Sequence, residues 1–247
     1  MIMFRKFFIT VLLLPLFVHL HAQQLVTPEK ASADFVHINE AYSNTKKLKM
    51  DLSYVLYPSY TATVPFENEK GVFMKQNNNT YSELLGITSL SNSKVSVSID
   101  QAEQTIVVTD PPAKKTEIPG AVDFDSLLKK CSSIEYLELE GNGKCYKLRF
   151  DNTSFFQYNE IDVFFDGQTF LLNKLNLYFR EEVDLNPDDA NHLKDHPRLE
   201  ISYSSIDTAP VFAPGQFSET RYINMAGKNI TCTSAYTTYR LINHKLS

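Results

Sequence analysis

The sequence predicts a mainly β protein of the α+β class, in which two helices cover the apolar face of one large antiparallel sheet. Short segments of alternating apolar residues recur along the chain, and turn residues separate them. Only two segments have helical periodicity, and they do not alternate with strands as they would in a parallel α/β sheet. A sheet of about ten strands must curl or close, and its apolar face must be covered.

The first 22 residues predict a secretory signal peptide. A basic pair at residues 5–6 precedes an apolar run at residues 7–20, and Ala22 stands where cleavage is expected. The run is shorter than the roughly 20 residues of a membrane-spanning helix, and Pro15 interrupts it. We therefore expect the mature chain, residues 23–247, to be periplasmic or secreted, with no transmembrane segment after signal cleavage.

Two later segments predict the helices. Residues 27–47 begin with a capping threonine followed by proline, and Phe35 and Ile38 lie on one apolar stripe. Residues 123–131 form a shorter candidate, with Asp123 as its cap. These helices are the expected cover of the sheet.

Strands are predicted for most of the remaining chain. Gly141-Asn142-Gly143 and Asp166-Gly167 are strong hairpin signals, and the polar segment 181–197 predicts a loop. The predicted strands are residues 49–57, 70–76, 79–85, 86–90, 94–99, 104–109, 134–139, 144–150, 160–165, 169–179, 198–206, 217–224 and 228–242.

Composition and motifs argue against several functions. A formal net charge of -5 disfavours a nucleic-acid partner, because binding to phosphates requires a basic surface. The sequence has no glycine-rich phosphate loop and no G-x-S-x-G nucleophile elbow. We therefore expect no enzymatic activity and no cofactor.

The metal-site patterns are incomplete. A D-x-N-x-D run starts at Asp184 like a calcium loop, but Asp189 occupies the place where the sharp turn needs glycine. His192 and His196 have the spacing of helical zinc ligands, but Pro197 disfavours a helix there. We therefore predict no metal site.

Three cysteines leave two alternatives open. Cys131 and Cys145 flank a predicted strand and turn and could form a disulfide in an oxidising compartment, with Cys232 as a spare thiol. Three free thiols are equally compatible with the sequence.

The order of the elements carries a family resemblance. A long helix is followed by the strand KMDLSYVLY, a strand that starts at Gly71 and a strand near Tyr81. The strand VSVSID then turns into the strand QTIVVTD, and the short helix DFDSLLKKC follows. The patterns ELEGNGKCYKLRF and IDVFFDGQTFLLNKLNLYF complete the series. This succession, over residues 27–180, resembles the periplasmic lipoprotein carriers of the LolA/LolB-like superfamily. The chain lacks that family's early-strand arginine at residues 49–57, and a C-terminal extension begins at about residue 181.

The resemblance implies an open antiparallel β half-barrel, with the long N-terminal helix and the short mid-chain helix covering its concave face. It also implies that acyl chains enter between the sheet and the helices. Strand alternation and the helical stripes then give the groove residues, although a shift of one residue would turn a strand over. The predicted groove residues are Phe35, Ile38, Leu52, Tyr54, Leu56, Val72, Met74, Leu127, Leu128, Leu137, Leu139, Tyr146, Leu148 and Phe150.

The sequence therefore predicts an exported, non-enzymatic protein that binds a lipid or an acylated lipoprotein in an apolar groove, as an outer-membrane lipoprotein carrier would. The alternative is an envelope interaction subunit that has the same fold and binds a protein partner. In that case the 13 tyrosines and the phenylalanines that follow residue 22 would contribute to a core that fills the groove.

Overall fold

The computed structural model describes residues 24–112, 123–151, 156–185, 194–227 and 229–245. Its α-helices are α1 (Pro28–Asn44) and α2 (Phe124–Leu128). Its strands are β1 (Gln24–Leu25), β2 (Lys47–Tyr57), β3 (Glu67–Gln76), β4 (Asn79–Leu84), β5 (Ile87–Ser91), β6 (Ser96–Asp100), β7 (Thr105–Thr109), β8 (Ser133–Glu138), β9 (Gly143–Arg149), β10 (Tyr158–Asp166), β11 (Leu172–Phe179), β12 (Arg198–Asp207), β13 (Ile223–Ala226), β14 (Asn229–Cys232) and β15 (Arg240–Asn243).

Thirteen of these strands form one sheet, in the order β1-β8-β9-β10-β11-β12-β2-β3-β4-β5-β6-β7-β15. Its strand pairs are antiparallel except β7 with β15, which is parallel. The outer strands β1 and β15 do not pair with each other, so the sheet is open. The predicted fold class, a mainly β open sheet with a long N-terminal and a short mid-chain helix, is confirmed.

Both helices pack on one side of the sheet, which we call the helix-covered face. Phe35 and Ile38 of α1 are at most 1% exposed, and the ring of Phe124 in α2 stacks on Phe35 at 4.4 Å. The buried sheet residues on this face include Leu48, Met50, Leu52, Phe73, Tyr146, Leu148, Ile161, Val163, Phe165 and Leu175.

Hydrogen bonds attach α1 to the sheet from its second turn and from its last turn. The hydroxyl of Tyr146 donates to the Asp34 carboxylate at 2.7 Å. Toward the other end, the Tyr42 hydroxyl accepts from the Leu172 amide at 3.1 Å, and the Tyr42 carbonyl accepts from Lys75 Nζ at 2.7 Å. These contacts fix where the helix crosses the sheet.

A second core lies on the opposite face of the sheet. Phe73 points to the helices, whereas its neighbour Met74 lies opposite Tyr81, and Tyr81 lies opposite Leu90. Tyr81 and Leu90 belong to a separate cluster that contains Ile223. Because successive strand residues point to opposite faces, these pairs show where the buried face changes. In the order of the sheet, the strands up to β3 are buried on the helix-covered face, and those from β4 onward are buried on the opposite face.

The chain after β12 covers this second core, and we call residues 208–227 and 229–245 the C-terminal cover. Phe217, Tyr222 and Ile223 supply its buried apolar contacts. The predicted strands 217–224 and 228–242 are wrong in detail, because this segment forms two 3₁₀ turns, the β13–β14 hairpin and the edge strand β15.

Cys131, Cys145 and Cys232 are free thiols, so the alternative with a disulfide is not realised. Cys145 is 1% exposed, and burial raises the pKa of its thiol to about 12. Within the described parts of the chain, none of the helices has both the length and the apolar character needed to cross a membrane.

Candidate functional site

An apolar strip extends across the helix-covered face at the strand ends that α1 does not reach. The hydroxyl of Tyr42 meets the sheet at Leu172, the first residue of β11, whereas the strip includes Phe179, the last residue of β11. The members of the strip are partly buried or exposed apolar side chains. They are Tyr54, Leu56, Leu84, Ile87, Phe179 and Leu199.

Strand register makes the strip continuous. Leu199 of β12 lies directly opposite Leu56 of β2, and Leu84 of β4 lies directly opposite Ile87 of β5. Directly opposite residues have Cβ atoms about 5 Å apart on the same face. Tyr54, Phe179 and Leu199 also pack against the helix-covered core, so the strip is the partly open margin of that core.

Gly71 of β3 lets the part of the strip on β2 and the part on β4 meet. A Cβ added at this glycine would lie 2.8 Å from Leu84 Cδ1 and would also collide with the Glu83 carbonyl oxygen. Because glycine has no side chain, Leu84 packs directly over β3, on the side where β2 carries Leu52. A larger residue would separate the β2 and β4 parts of the strip.

The electrostatics of the strip are asymmetric. Glu67 and Glu69 of β3 lie directly opposite Leu56 and Tyr54, so carboxylates border one side. Burial raises the pKa of the Tyr54 hydroxyl above its ordinary value of 10.0, so this group adds no charge to the strip at neutral pH. The strip therefore offers an apolar surface beside carboxylates, which disfavour an anionic group at that border.

The structure divides the predicted groove residues, apart from Leu139, into three groups. Leu56 and Tyr54 lie on the strip, partly exposed. Eight lie in the core under the helices, each at most 9% exposed: Phe35, Ile38, Leu52, Leu127, Leu128, Tyr146, Leu148 and Phe150. Three lie on the opposite face of the sheet, Val72, Met74 and Leu137, and Leu139 follows the end of β8 and is 37% exposed.

The prediction that Val72, Met74 and Leu137 face the helices is wrong for a physical reason in each strand. In β8 the inward side chains are Ile134 and Tyr136, so the predicted register is off by one residue. In β3, Phe73 faces the helices, so Val72 and Met74 on either side of it point to the opposite face and pack against the second core. Whether any of the fourteen residues binds a ligand stays a prediction.

The predicted groove lacks the part of the strip that β11, β12 and the β4–β5 hairpin contribute. Leu177 and Phe179 alternate along β11, and Leu199 and Ile201 alternate along β12, with all four on the helix-covered face. That alternation is visible in the sequence and could have identified them. The family resemblance instead assigns the residues after 180 to an extension, outside the groove.

Among the residues that the structure describes, no three histidine, cysteine or carboxylate side chains converge to hold a metal ion. Residues 186–193, which contain His192 and most of the calcium-like loop, lie outside the described residues. The described site thus consists of apolar contacts bordered by charge.

Comparisons with known proteins give distant structural similarity only. No protein-family model matches the sequence, and no curated protein matches it significantly. The chain is similar to the structure of an uncharacterized conserved protein from Thermus thermophilus, with a TM-score of 0.43 and 6% identity over 87% of this chain and 99% of that chain.

Two further structures have related descriptions. An outer membrane lipoprotein-sorting protein domain from Vibrio parahaemolyticus is similar with a TM-score of 0.36 and 10% identity, over 79% of this chain and 99% of that chain. A LolA superfamily protein from Nitrosomonas europaea is similar with a TM-score of 0.33 and 12% identity, over the same shares. At these scores the likeness transfers no ligand and no residue role to this chain. The family that the sequence resembles is represented among the solved structures similar to this chain.

Proposed function

We propose that this protein is exported and binds, without catalysis, the acyl chain of a lipid or lipoprotein on the apolar strip, as a carrier in the cell envelope would. The observation that supports this proposal is the incomplete cover of the helix-covered face. Leu56 and Leu199 lie opposite each other beyond the helices and are only partly buried. An apolar surface of this kind gains free energy when a hydrocarbon chain displaces water from it.

The expected affinity is moderate. Each methylene group taken from water contributes about 0.8 kcal/mol, so about ten methylenes would contribute roughly 8 kcal/mol before the entropic cost of association. A chain lying on an open strip keeps one side in water, which reduces that gain. After both costs we expect a Kd well above 1 μM, on the order of 0.1 to 1 mM, which also permits release.

The alternative function is an interaction subunit with a self-filled core. The eight groove residues that lie at most 9% exposed under the helices are compatible with it. The two functions differ at the strip, because a carrier needs the strip for its ligand and an interaction subunit does not. Displacement of a fluorescent probe from the strip therefore separates them.

The test measures the fluorescence of N-phenyl-1-naphthylamine, an uncharged apolar probe, and its displacement by a monoacylglycerol. We expect the wild type to bind the probe and to lose it as monoacylglycerol is added. Leu56→Asp should weaken monoacylglycerol binding at least about tenfold, because an unpaired carboxylate is costly to desolvate beneath an acyl chain.

Ser53→Asp is the matched control, since residue 53 lies on the other face of β2, directly opposite Lys70. It should bind monoacylglycerol as the wild type does. Melting temperatures of both variants separate lost binding from lost folding. The proposal fails if the wild type binds neither compound, or if folded Leu56→Asp and Ser53→Asp bind monoacylglycerol equally well.

A further inference from the structure

A polar cleft of about 470 Å³ lies between the C-terminal cover and two turns of the sheet. Gln76 and Asn79 line it from the β3–β4 turn, and Asn92 lines it from the β5–β6 turn. The facing wall is the loop that runs from Phe212 to Glu219. This volume is within the range of small-ligand sites, and none of the strip residues lines the cleft.

Hydrogen bonds hold the loop wall in place. Asn92 is 7% exposed, and its Nδ2 donates to the Phe217 carbonyl at 3.2 Å and to Glu219 Oε2 at 2.8 Å. Within the loop, the Ser218 amide donates to the Gly215 carbonyl at 3.0 Å. A wall that is already ordered loses little entropy when a ligand binds.

Three side-chain amides remain available for a ligand. The side chains of Gln76, Asn79 and Gln216 line the cleft and make no hydrogen bond to the described residues. Each amide offers two donor hydrogens and one acceptor oxygen. Neighbouring hydroxyl groups, each of which is both donor and acceptor, match that set.

The cleft is close to electrically neutral. Lys94 Nζ lies 2.8 Å from Glu219 Oε1, so the two charges along the wall compensate each other. Phe212, partly buried beside the Phe217 ring at 5.1 Å, adds an aromatic surface. A neutral ligand with both hydroxyl groups and C–H faces fits this combination, because aromatic rings contact C–H faces and amides bond hydroxyls.

The surrounding strands disfavour an extended peptide. A peptide commonly adds to a free strand edge, but β3, β4, β5 and β6 are each paired on both sides in the sheet. Recognition in the cleft therefore depends on side chains. We propose that the cleft is a second binding site and that its ligand is a neutral oligosaccharide, separate from the acyl ligand of the strip.

Titration calorimetry with maltotriose, cellotriose and N,N′,N″-triacetylchitotriose tests this site. We expect at least one of them to bind at millimolar concentration or below. Asn79→Ala and Gln216→Ala should each lower its affinity about fivefold to tenfold, the effect of one or two lost hydrogen bonds. Gln101→Ala changes an exposed amide in the β6–β7 turn, outside the cleft, and should leave the affinity unchanged.

Absence of binding by all three trisaccharides overturns the proposal. So does binding that Asn79→Ala and Gln216→Ala leave unchanged while both variants keep the wild-type melting temperature. Binding of an extended peptide that the same variants abolish, without saccharide binding, also overturns it. The monoacylglycerol assay is independent of all these outcomes, because it reports on the strip.

Discussion

Asp162 carries a carboxyl group into a nearly closed environment on the outer face of the sheet, the face of β2 and β8–β12 opposite the helices. The residue is 2% exposed, and its Oδ2 accepts hydrogen bonds from Tyr178 at 3.0 Å and Asn176 at 3.3 Å. Asp162 Oδ1 and Asn176 Oδ1 are both buried without a hydrogen-bond partner among the described residues. Burial, with the nearby charge of Glu160, raises the pKa of Asp162 to about 6 despite the opposing effects of Lys147 and these hydrogen bonds.

A raised carboxyl pKa means that the ionised form destabilises the folded state at neutral pH. The penalty is full above the folded pKa of about 6 and disappears as the pH falls to the ordinary value of 3.8. Asp162→Asn should therefore increase the free energy of unfolding at pH 7.5 by roughly 1 to 3 kcal/mol, because it removes the charge and can donate to Asn176 Oδ1. Urea unfolding from pH 7.5 to pH 4 should show this gain shrinking with acidity.

Asp166→Asn is a control that should change the free energy of unfolding at pH 7.5 in the opposite direction, lowering it. Hydrogen bonds from the backbone amide and hydroxyl of Thr169 and from the Gln168 amide lower the pKa of Asp166, against the opposing effect of burial. Its contribution to stability is present above the ordinary pKa and is lost as the pH falls through the folded value. A gain for Asp162→Asn that persists at pH 4, or a loss at pH 7.5, would contradict the environment described for Asp162.

At the scale of elements, the C-terminal cover is the part that the sequence predicts least well. The sequence predicts the first helix at residues 27–47, and α1 spans Pro28–Asn44, because its apolar stripe is a local signal. The hairpin turns predicted at residues 141–143 and 166–167 are also correct. Short pieces such as β13 lack such periodicity, and contacts with the second core determine them.

Ile223→Asp tests the role of this cover. Ile223 is fully buried in the second core, so a carboxylate there should detach the cover from β4–β7. We expect hydrogen exchange to accelerate in β4–β7 and β13–β15 and to remain slow in β9–β11 under the helices. Local opening of separately packed units gives this kind of regional difference.

Asn224→Asp is the matched control, because Asn224 is exposed on the same strand. It should leave exchange in β4–β7 at the wild-type rate. Equal acceleration throughout the sheet in folded Ile223→Asp would show that the two cores unfold as one unit, and would contradict their separate packing.

At the scale of the whole molecule, one open sheet has its two covers on opposite faces. The sequence contains a signal for the strand at which the buried face of the sheet changes. Val72, Phe73 and Met74 are consecutive apolar residues in β3, and a strand that is buried on both faces has such a run. Alternation alone cannot show which cover each face receives, because this depends on contacts between distant parts of the chain. Tyr54 and Leu56 of the strip follow from the alternation in β2, and the contributions of β11 and β12 could have been found in the same way. Those of β4 and β5, in contrast, depend on the contact of Leu84 with β3 across Gly71.

The central claim is that an acyl chain binds where the helices leave the sheet uncovered. Methyl NMR during titration with a monoacylglycerol tests it directly, because leucine, isoleucine and valine methyls mark both faces. We predict saturable shifts at Leu56, Leu84, Ile87 and Leu199 of the strip. The methyls of the second core, Leu90, Val97, Ile99, Ile106 and Val108, should remain unchanged. Unchanged strip methyls, or shifts concentrated in the second core, would contradict the claim.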